Sequence, residues 1–242
     1  MIEVIDFHKS FANQLAVSGL TFRVAPGEIL GLIGPNGAGK TTTLRALAGI
    51  LPASRGRLVV AGHDVEADSL AAKTAMAFVP DDPPLFHDLT VQEHLAFYAS
   101  VYGVQDATPK AKKLLEEFEL EQKLRTPASD LSRGMRQKLA ICCAFLHQPQ
   151  VLLLDEPLTG LDPRGIRRLK ESLGTRAAQG AATIISSHLL PMVEDTCTHV
   201  MILDNGAQCF FGSIEQLRET YGSLDGSASL EKIFFAATQA NA

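Results

Sequence analysis

A glycine-rich segment between an apolar run and a helical pattern constrains the fold of this chain more than any other sequence feature. The segment follows the apolar residues Ile29 to Ile33 and fits the pattern G-x-x-x-x-G-K-[ST]. Its residues are Gly34, Pro35, Asn36, Gly37, Ala38, Gly39, Lys40 and Thr41. Glycines let backbone N–H groups turn inward around an anion, and the dipole of the following helix favours negative charge there. The alternative, a glycine-rich turn with an incidental Lys-Thr, does not explain the position between strand and helix. We therefore predict a polyphosphate-binding loop.

Three side chains at the end of this loop are predicted to contact the polyphosphate or its metal ion. The ammonium group of Lys40 should neutralise the β and γ phosphates, as in other loops of this pattern. The hydroxyl of Thr41 is the expected ligand of Mg²⁺, and Thr42 can donate a further hydrogen bond to a phosphate.

Two consecutive acids end a second apolar run. Val151 to Leu154 has the composition of a central parallel strand that is buried on both faces, and Asp155 and Glu156 follow it. Ligands of open α/β sheets bind at the carboxyl ends of the strands, so we expect Asp155 near Mg²⁺ and Glu156 near the water that attacks the γ phosphate. Pro157 is expected to hold Glu156 extended. The alternative is a solvated strand end followed by a turn.

A second potential anion site lies at the start of another helical segment. In the run Leu131 to Met135, Ser132 is placed as an N-cap and Gly134 allows a close approach of the backbone. One chain thus carries two half-sites for a nucleotide, which a head-to-tail dimer would complete. A simple helix cap is the alternative.

The order of the motifs resembles the nucleotide-binding subunit of an ATP-binding cassette (ABC) transporter, over nearly the whole chain. The phosphate loop is followed by L-S-x-G, by apolar-D-E-P, by T-G-L-D and by S-S-H. The resemblance implies an ATPase with ATP and Mg²⁺ as ligands. It implies that a second nucleotide-binding subunit, expected to be an identical chain, and a separate membrane permease are the partners.

The resemblance also implies roles for individual residues. Ser132 and Gly134 would contact the γ phosphate of ATP held by the opposite subunit, and Asp162 would lie at the dimer seam. His188 would hydrogen-bond the γ phosphate and orient water. Phe11 matches the aromatic residue that stacks on adenine, the alternative being a core phenylalanine.

The chain departs from the family pattern at three positions, one after the predicted strand Met76–Val79 and two in the signature. Asp81 stands where the family has glutamine. The resemblance implies that this position contacts Mg²⁺ and water, but the shorter acid cannot present the same amide contacts. The signature reads L-S-R-G-M, so Arg133 and Met135 replace a glycine and a glutamine. Both departures resemble the branch that works with ABC-2 type permeases, which are generally exporters.

The fold predicted from these patterns is α/β, a P-loop NTPase with a mainly parallel sheet core, an N-terminal antiparallel β subdomain and an inserted α-helical subdomain. We expect one domain over 1–242: a core of 1–84 and 149–220, a helical subdomain of 85–148 with the signature motif, and a tail of 221–242. Strands are expected at Ile2–Asp6, Leu20–Val24, Ile29–Ile33, Leu58–Val60, Met76–Val79, Val151–Leu154 and Thr183–Ser186. Helices are expected from Val91 to Tyr102, Lys110 to Leu120, Ser132 to His147, Pro163 to Gln179, Ser213 to Tyr221 and Leu230 to Ala236. Asn205-Gly206 predicts a hairpin.

Composition narrows the partners and the location. The formal net charge is −5, so the composition does not indicate the basic surface that a nucleic-acid-binding protein needs. No signal peptide and no apolar run of roughly 20 residues is visible, so the chain is expected in the cytoplasm, on the inner membrane face through the permease.

Apolar residues near 82–102 could dock the permease or belong to the core. The four cysteines are expected to be reduced and Cys142 and Cys143 to pack in the core. An ABC-type ATPase without a permease, and a P-loop kinase or GTPase, are the weaker alternatives.

Overall fold

A computed structural model describes residues 1–12, 14–221 and 230–239. The N-terminal residues form an antiparallel sheet of four strands in the order β2-β1-β4-β5. The strands are β1 (Ile2–Phe11), β2 (Gln14–Val24), β4 (Arg55–Val60) and β5 (His63–Asp64). Ile2 of β1 pairs with Val24 of β2 on one side and with Val60 of β4 on the other. This sheet is the antiparallel β layer predicted from the strand-rich N-terminal third.

A second sheet of six strands carries the phosphate loop. Its order is β10-β9-β3-β8-β7-β6, and every neighbouring pair is parallel except β9 and β10. The strands are β3 (Ile29–Ile33), β6 (Met76–Val79), β7 (Val151–Asp155), β8 (Ala182–Ser186), β9 (His199–Asp204) and β10 (Ala207–Ser213). The Asn205-Gly206 turn joins the antiparallel pair β9 and β10, so the predicted hairpin is confirmed.

The helices lie at the ends of these strands and in one insertion. Those of the described chain are α1 (Lys40–Leu47), α2 (Ser69–Ala75), α3 (Val91–Val101), α4 (Ala107–Glu117), α5 (Arg133–Leu146), α6 (Pro163–Ala178), α7 (Leu190–Thr196), α8 (Ile214–Tyr221) and α9 (Leu230–Gln239). Helices α3, α4 and α5 lie between β6 and β7 in sequence and correspond to the three helices predicted there, although α4 begins and ends three residues earlier than predicted. The exact division into core and subdomain stays a prediction. None of the described helices is long and apolar enough to cross a membrane.

Strand β7 and helix α5 form the centre of the larger apolar core. All five residues of β7 are buried between β6 and β8, as predicted for a strand covered on both faces. Helix α5 buries Cys142 and Cys143 together with the rest of its last ten residues. Burial raises the pKa of both thiols, so they remain protonated and act as small apolar side chains. The predicted packing role of these cysteines is confirmed.

Several elements differ from the sequence-based expectation. Strands β1 and β2 are longer than predicted because pairing continues through polar residues such as Lys9 and Gln14, which give no apolar signal. Helices α2 and α7 and the two-residue strand β5 were not predicted. Each is too short to show a clear hydrophobic period. Of the predicted tail, 221–242, residues 222–229 and 240–242 lie outside the described residues.

Candidate functional site

The glycine-rich segment forms a loop that leads from β3 directly into α1. Gly39, the residue before the helix, has a φ of +99°, and a Cβ built on it would lie 2.9 Å from the carbonyl oxygen of Ala16. Only glycine combines this conformation with this close approach. Because no side chain caps the start of α1, the N–H groups of its first turn are left for another acceptor. The local backbone thus has the form of an anion cradle.

The ammonium group of Lys40 is folded back onto this loop. Its Nζ donates hydrogen bonds to the carbonyl oxygens of Gly34 at 2.7 Å and Pro35 at 3.0 Å. Burial lowers the pKa of Lys40, although the nearby carboxylates of Glu156 and Asp155 partly oppose this effect. The cradle therefore contains a desolvated cation whose hydrogen bonds, among the described residues, are those to the two loop carbonyls.

A hydroxyl of α1 and a carboxylate of β7 meet beside the loop. Thr41 Oγ1 donates to Asp155 Oδ1 at 3.1 Å, and the hydroxyl of Ser186 at the end of β8 donates to the same oxygen at 2.7 Å. Asp155 is almost fully buried. The sequence reasoning did not identify Ser186, although a small polar residue ending the strand beside β7 was a usable signal. Hydroxyl and carboxylate oxygens are the ligand types that Mg²⁺ prefers, so this donor set fits that ion.

The next residue, Glu156, turns its side chain to the histidine that follows β8. Nδ1 of His188 lies 2.8 Å from Glu156 Oε2. The backbone of Glu156 has a φ of +48°, so the expectation that Pro157 holds this residue extended is wrong. Tertiary hydrogen bonds override the local preference, because the Glu156 N–H donates to both the carbonyl oxygen and the hydroxyl of Ser186, at 3.2 and 2.9 Å. Residues other than glycine that adopt a left-handed backbone conformation are often found at functional sites.

The signature motif forms the N-terminal turn of α5. The hydroxyl of Ser132 caps this helix by accepting a hydrogen bond from the N–H of Met135 at 3.3 Å, as predicted. A Cβ on Gly134 would lie 2.4 Å from the carbonyl oxygen of Gly160. The turn that ends in Asp162 and the signature turn therefore pack backbone against backbone, which a larger residue at Gly134 would prevent.

Asp162 is fixed by its own helix and by a buried lysine of α5. Its carboxylate accepts a hydrogen bond from the Gly165 N–H at 3.1 Å and lies 3.2 Å from Nζ of Lys138. Lys138 also lies 3.8 Å from Glu119. Although partial desolvation acts the other way, the hydrogen bonds from Lys138 and Gly165 hold the pKa of Asp162 below its ordinary value. The buried lysine is a further residue that sequence reasoning missed.

The predicted site residues fall into two groups in the structure. Lys40, Thr41, Asp155, Glu156 and His188 meet at the carboxyl edge of the parallel sheet. The signature turn packs instead on the turn before Asp162 and on Asp81. Within the described residues, no hydrogen bond or ion pair joins Ser132 or Gly134 to residues 34–42. The phosphate loop and the signature turn of one chain are therefore not connected by such contacts.

Phe11 lies outside both groups and on the surface. Its side chain is 45% exposed, which rules out the alternative of a core phenylalanine. Nζ of Lys9 lies 5.0 Å from the centre of its ring, at a distance where a cation is attracted to an aromatic face. The ring is thus accessible to a planar ligand.

Comparison with known proteins decides the family. The model of the family described as "ABC transporter" matches residues 17–159. The chain belongs to this family. The match includes the phosphate loop, the signature turn and the two acids at the end of β7, Asp155 and Glu156.

Individual relatives within the ABC transporter family cover almost the whole chain. The chain is 33% identical to the "ABC-type transporter ATP-binding protein EcsA" of Bacillus subtilis (strain 168), over 100% of this chain and 98% of that protein. It is 36% identical to the "Nod factor export ATP-binding protein I" of Rhizobium sp. (strain N33), over 91% of this chain and 73% of that protein.

A solved structure described as "Structure of ATP binding subunit of ABC transporter" is similar throughout, with a TM-score of 0.93 and 34% identity over 98% of this chain and 99% of that one. This protein is accordingly an ATP-binding subunit of an ABC transporter and an ATPase. The alternatives of a kinase or a GTPase are excluded by the family.

Proposed function

We propose that two copies of this ABC transporter subunit close head to tail around two ATP molecules and thereby drive a separate membrane permease. The observation that carries this proposal is the division of the site: the phosphate loop and the signature turn of one chain form separate groups. Each is half of a nucleotide site. Two-fold symmetry would bring each signature turn to the partner's phosphate loop and complete both sites at once.

The phosphate loop would hold the polyphosphate of ATP. Backbone N–H groups of residues 34–39 and of the first turn of α1 are suited to its oxygens, and Thr42 adds a hydroxyl. Lys40 would exchange its two loop carbonyls for the β and γ phosphates, which are stronger partners for a desolvated ammonium group.

Thr41, Asp155 and Asp81 would hold Mg²⁺, which neutralises charge on the phosphates when bound. The Thr41–Asp155 hydrogen bond already brings two of these groups together. Asp81 would contribute from the loop after β6, where the family pattern has glutamine. Phe11 would stack on the adenine ring, which binds the base without reading its hydrogen-bonding edge.

Hydrolysis would depend on the Glu156–His188 pair. The Glu156 carboxylate would accept a proton from the attacking water, as a positioned general base. The contact at 2.8 Å lets the imidazole orient that carboxylate. The exposed ring of His188 would also donate to the γ phosphate once ATP is bound. Ser132 and Gly134 would contact the same phosphate from the partner chain, with Asp162 at the seam.

An exposed aromatic surface fits the docking of the permease. Phe86, Phe97 and Val101 are 50%, 43% and 62% exposed, and the rings of Phe86 and Phe97 contact edge to face at 5.2 Å. The segment that carries Phe86 is anchored because its N–H donates to the buried His94 at 3.0 Å. Val91 and Leu95 are instead part of the core, so only the exposed apolar residues of this segment are proposed to dock the permease.

We place the subunit on the cytoplasmic face of the membrane, attached through its permease. Several relatives are named Nod factor export proteins. Together with the departures at Asp81 and in the signature, this supports an ABC-2 type exporter.

Light scattering of the Glu156→Gln protein with and without Mg-ATP tests the dimer. Without a base, ATP should stay intact and trap the closed dimer, so the mass should double only with ATP. Lys40→Met in the same background is the control and should stay monomeric, because it cannot hold the phosphates. A Glu156→Gln protein that binds ATP and stays monomeric would contradict the homodimer.

Charged substitutions test the docking surface. Phe97→Glu should abolish transport in cells while the purified subunit keeps its ATPase rate. Leu70→Glu is a matched control, because Leu70 is 80% exposed on α2, a helix outside the segment 82–102. Equal loss of transport for both variants, or loss of ATPase activity in Phe97→Glu, would overturn this assignment.

A further inference from the structure

Two of the three positions at which this chain departs from the family pattern, Arg133 and Asp81, face each other. Nη2 of Arg133, the first residue of α5, lies 3.5 Å from Oδ1 of Asp81, in the loop after β6. Arg133 replaces a glycine and Asp81 replaces a glutamine, so neither the cation nor the anion belongs to the usual pattern. A new pair of opposite charges thus connects the loop after β6 to the signature turn of the same subunit.

The path of the Arg133 side chain is restricted by the neighbouring turn. A Cβ on Gly160 would lie 3.2 Å from Cγ and 3.3 Å from Cδ of Arg133, so the aliphatic stem lies across this glycine. Gly134 packs on the carbonyl oxygen of the same residue. The stem is therefore supported on a fixed turn, and its guanidinium group is presented to Asp81.

The pair is exposed and consequently easy to break. The side chains of Arg133 and Asp81 are 58% and 51% exposed, and an exposed ion pair contributes little stability. Within the described part of the chain, no other cationic group lies within ion-pair distance of Asp81. A divalent cation at the nucleotide would therefore compete with one side chain, Arg133, for this carboxylate.

We propose that Arg133 is a positioning residue that competes with Mg²⁺ for Asp81. Before nucleotide binds, the guanidinium group holds the Asp81 carboxylate against the signature turn. When Asp81 turns to Mg²⁺, Arg133 is released beside Ser132 and Gly134, on the surface that meets the partner. The exchange would link metal binding in one half-site to the availability of the other half-site in the same chain. This inference rests on the proposed role of Asp81 at Mg²⁺.

A double-mutant cycle in the full-length Glu156→Gln protein tests the exchange. Equilibrium binding of ATP is measured over a range of Mg²⁺ concentrations and in EDTA. Arg133→Met removes the competing charge and keeps an unbranched stem. It should lower the Mg²⁺ concentration at half-saturation by about two- to five-fold, the range expected for an exposed ion pair, and leave ATP binding in EDTA unchanged.

The other members of the cycle separate competition from a structural effect. In an Asp81→Asn background, Arg133→Met should have no further effect on the Mg²⁺ dependence. Arg133→Lys keeps the charge and should resemble the parent protein. Lys112→Met makes the same charge change at an exposed site on α4 and should also leave the Mg²⁺ dependence unchanged.

Three results would overturn the inference. An equal effect of Arg133→Met in the parent protein and in the Asp81→Asn background would show that the pair is not the cause. Weaker ATP binding in EDTA would show that Arg133 contacts the nucleotide itself. If the parent protein binds Mg-ATP normally and Arg133→Met does not change the Mg²⁺ dependence of binding, the inference alone is rejected. A parent protein that binds no ATP at all would instead reject the proposed function, and the inference with it.

Discussion

Nδ1 of His188 lies 2.8 Å from Glu156 Oε2 although the two residues are 32 positions apart in sequence, because β7 and β8 are parallel neighbours and both residues follow strand ends. The contact with His188 involves one carboxylate oxygen of Glu156 and not the other. The imidazole is therefore suited to orient Glu156 as a base. The histidine is 65% exposed and the glutamate 21%. A ligand can therefore reach both groups.

Removing either member of this pair should slow ATP hydrolysis without preventing ATP binding. We expect Glu156→Gln to lower kcat by about 10²-fold or more, the usual effect of losing a positioned base. His188→Ala should lower kcat by about ten-fold, because Glu156 remains but is less well oriented. Phosphate release under saturating Mg-ATP measures both. If Glu156→Gln kept its full rate, another residue would be the base.

Phe11 should contribute to the affinity for ATP through its exposed ring. Loss of an aromatic stack costs about 0.5–1.5 kcal/mol, so Phe11→Ala should weaken ATP binding by about two- to twelve-fold. Phe11→Tyr should bind as the parent does. Leu15→Ala is the control, because Leu15 is similarly exposed on β2. An equal loss of affinity in Leu15→Ala would speak against stacking by Phe11.

Gly134→Ala should destabilise the fold and block ATP-dependent pairing. The added methyl group would lie 2.4 Å from the carbonyl oxygen of Gly160, and relief of such overpacking costs about 1–3 kcal/mol. Gly174→Ala is the matched control within α6: it meets no atom within 4 Å and should be neutral or stabilising. Urea unfolding curves compare the two. A Gly134→Ala protein as stable as Gly174→Ala would contradict the observed packing.

His147 should make the protein less stable at mildly acidic pH. The ring stacks on Tyr102 with centroids 3.8 Å apart, and Nε2 donates to the carbonyl oxygen of Met76. Burial lowers the pKa of His147 below 6.5, and the hydrogen bond to Met76 offsets this only in part. The unfolded chain thus binds the proton more readily. Stability is complete above pH 6.5 and falls as the pH drops from there towards the lower pKa of the folded state.

Thermal unfolding of a His147→Phe variant checks this pH dependence. Phenylalanine keeps a stacking ring and removes the titrating group. Between about pH 7.5 and about pH 5.5, the parent should lose more Tm than the variant does. The same loss of Tm in both proteins would assign the acid sensitivity to other groups.

Much of the fold was predictable because its signals are local. Strands β3 and β6 begin and end where the apolar runs do, and the turn at Asn205-Gly206 joins β9 and β10 as expected. The same holds for the cap at Ser132, which needs only residues of its own turn. Helices α2 and α7 were missed because seven residues hold only about two helical turns, too few for a clear hydrophobic period.

The backbone of Glu156 shows where local reasoning fails. A residue before proline prefers an extended conformation, yet Ser186 holds this one in the left-handed region through two hydrogen bonds. The acceptors come from the neighbouring strand, so no pattern around Glu156 could predict them. The role of Lys138 between Asp162 and Glu119 was hidden for the same reason.

The sequence by itself determined the family and the position of the glycine-rich loop between β3 and α1, because backbone conformation at these positions follows from residue type and spacing. Only the tertiary structure decided which of the predicted site residues meet. It brought Thr41 to Asp155 and Glu156 to His188, separated the signature turn from the phosphate loop, and paired Arg133 with Asp81. These contacts join segments far apart in the chain, and their partners are selected by the order of strands in the sheet and by the packing of α5 on its neighbours.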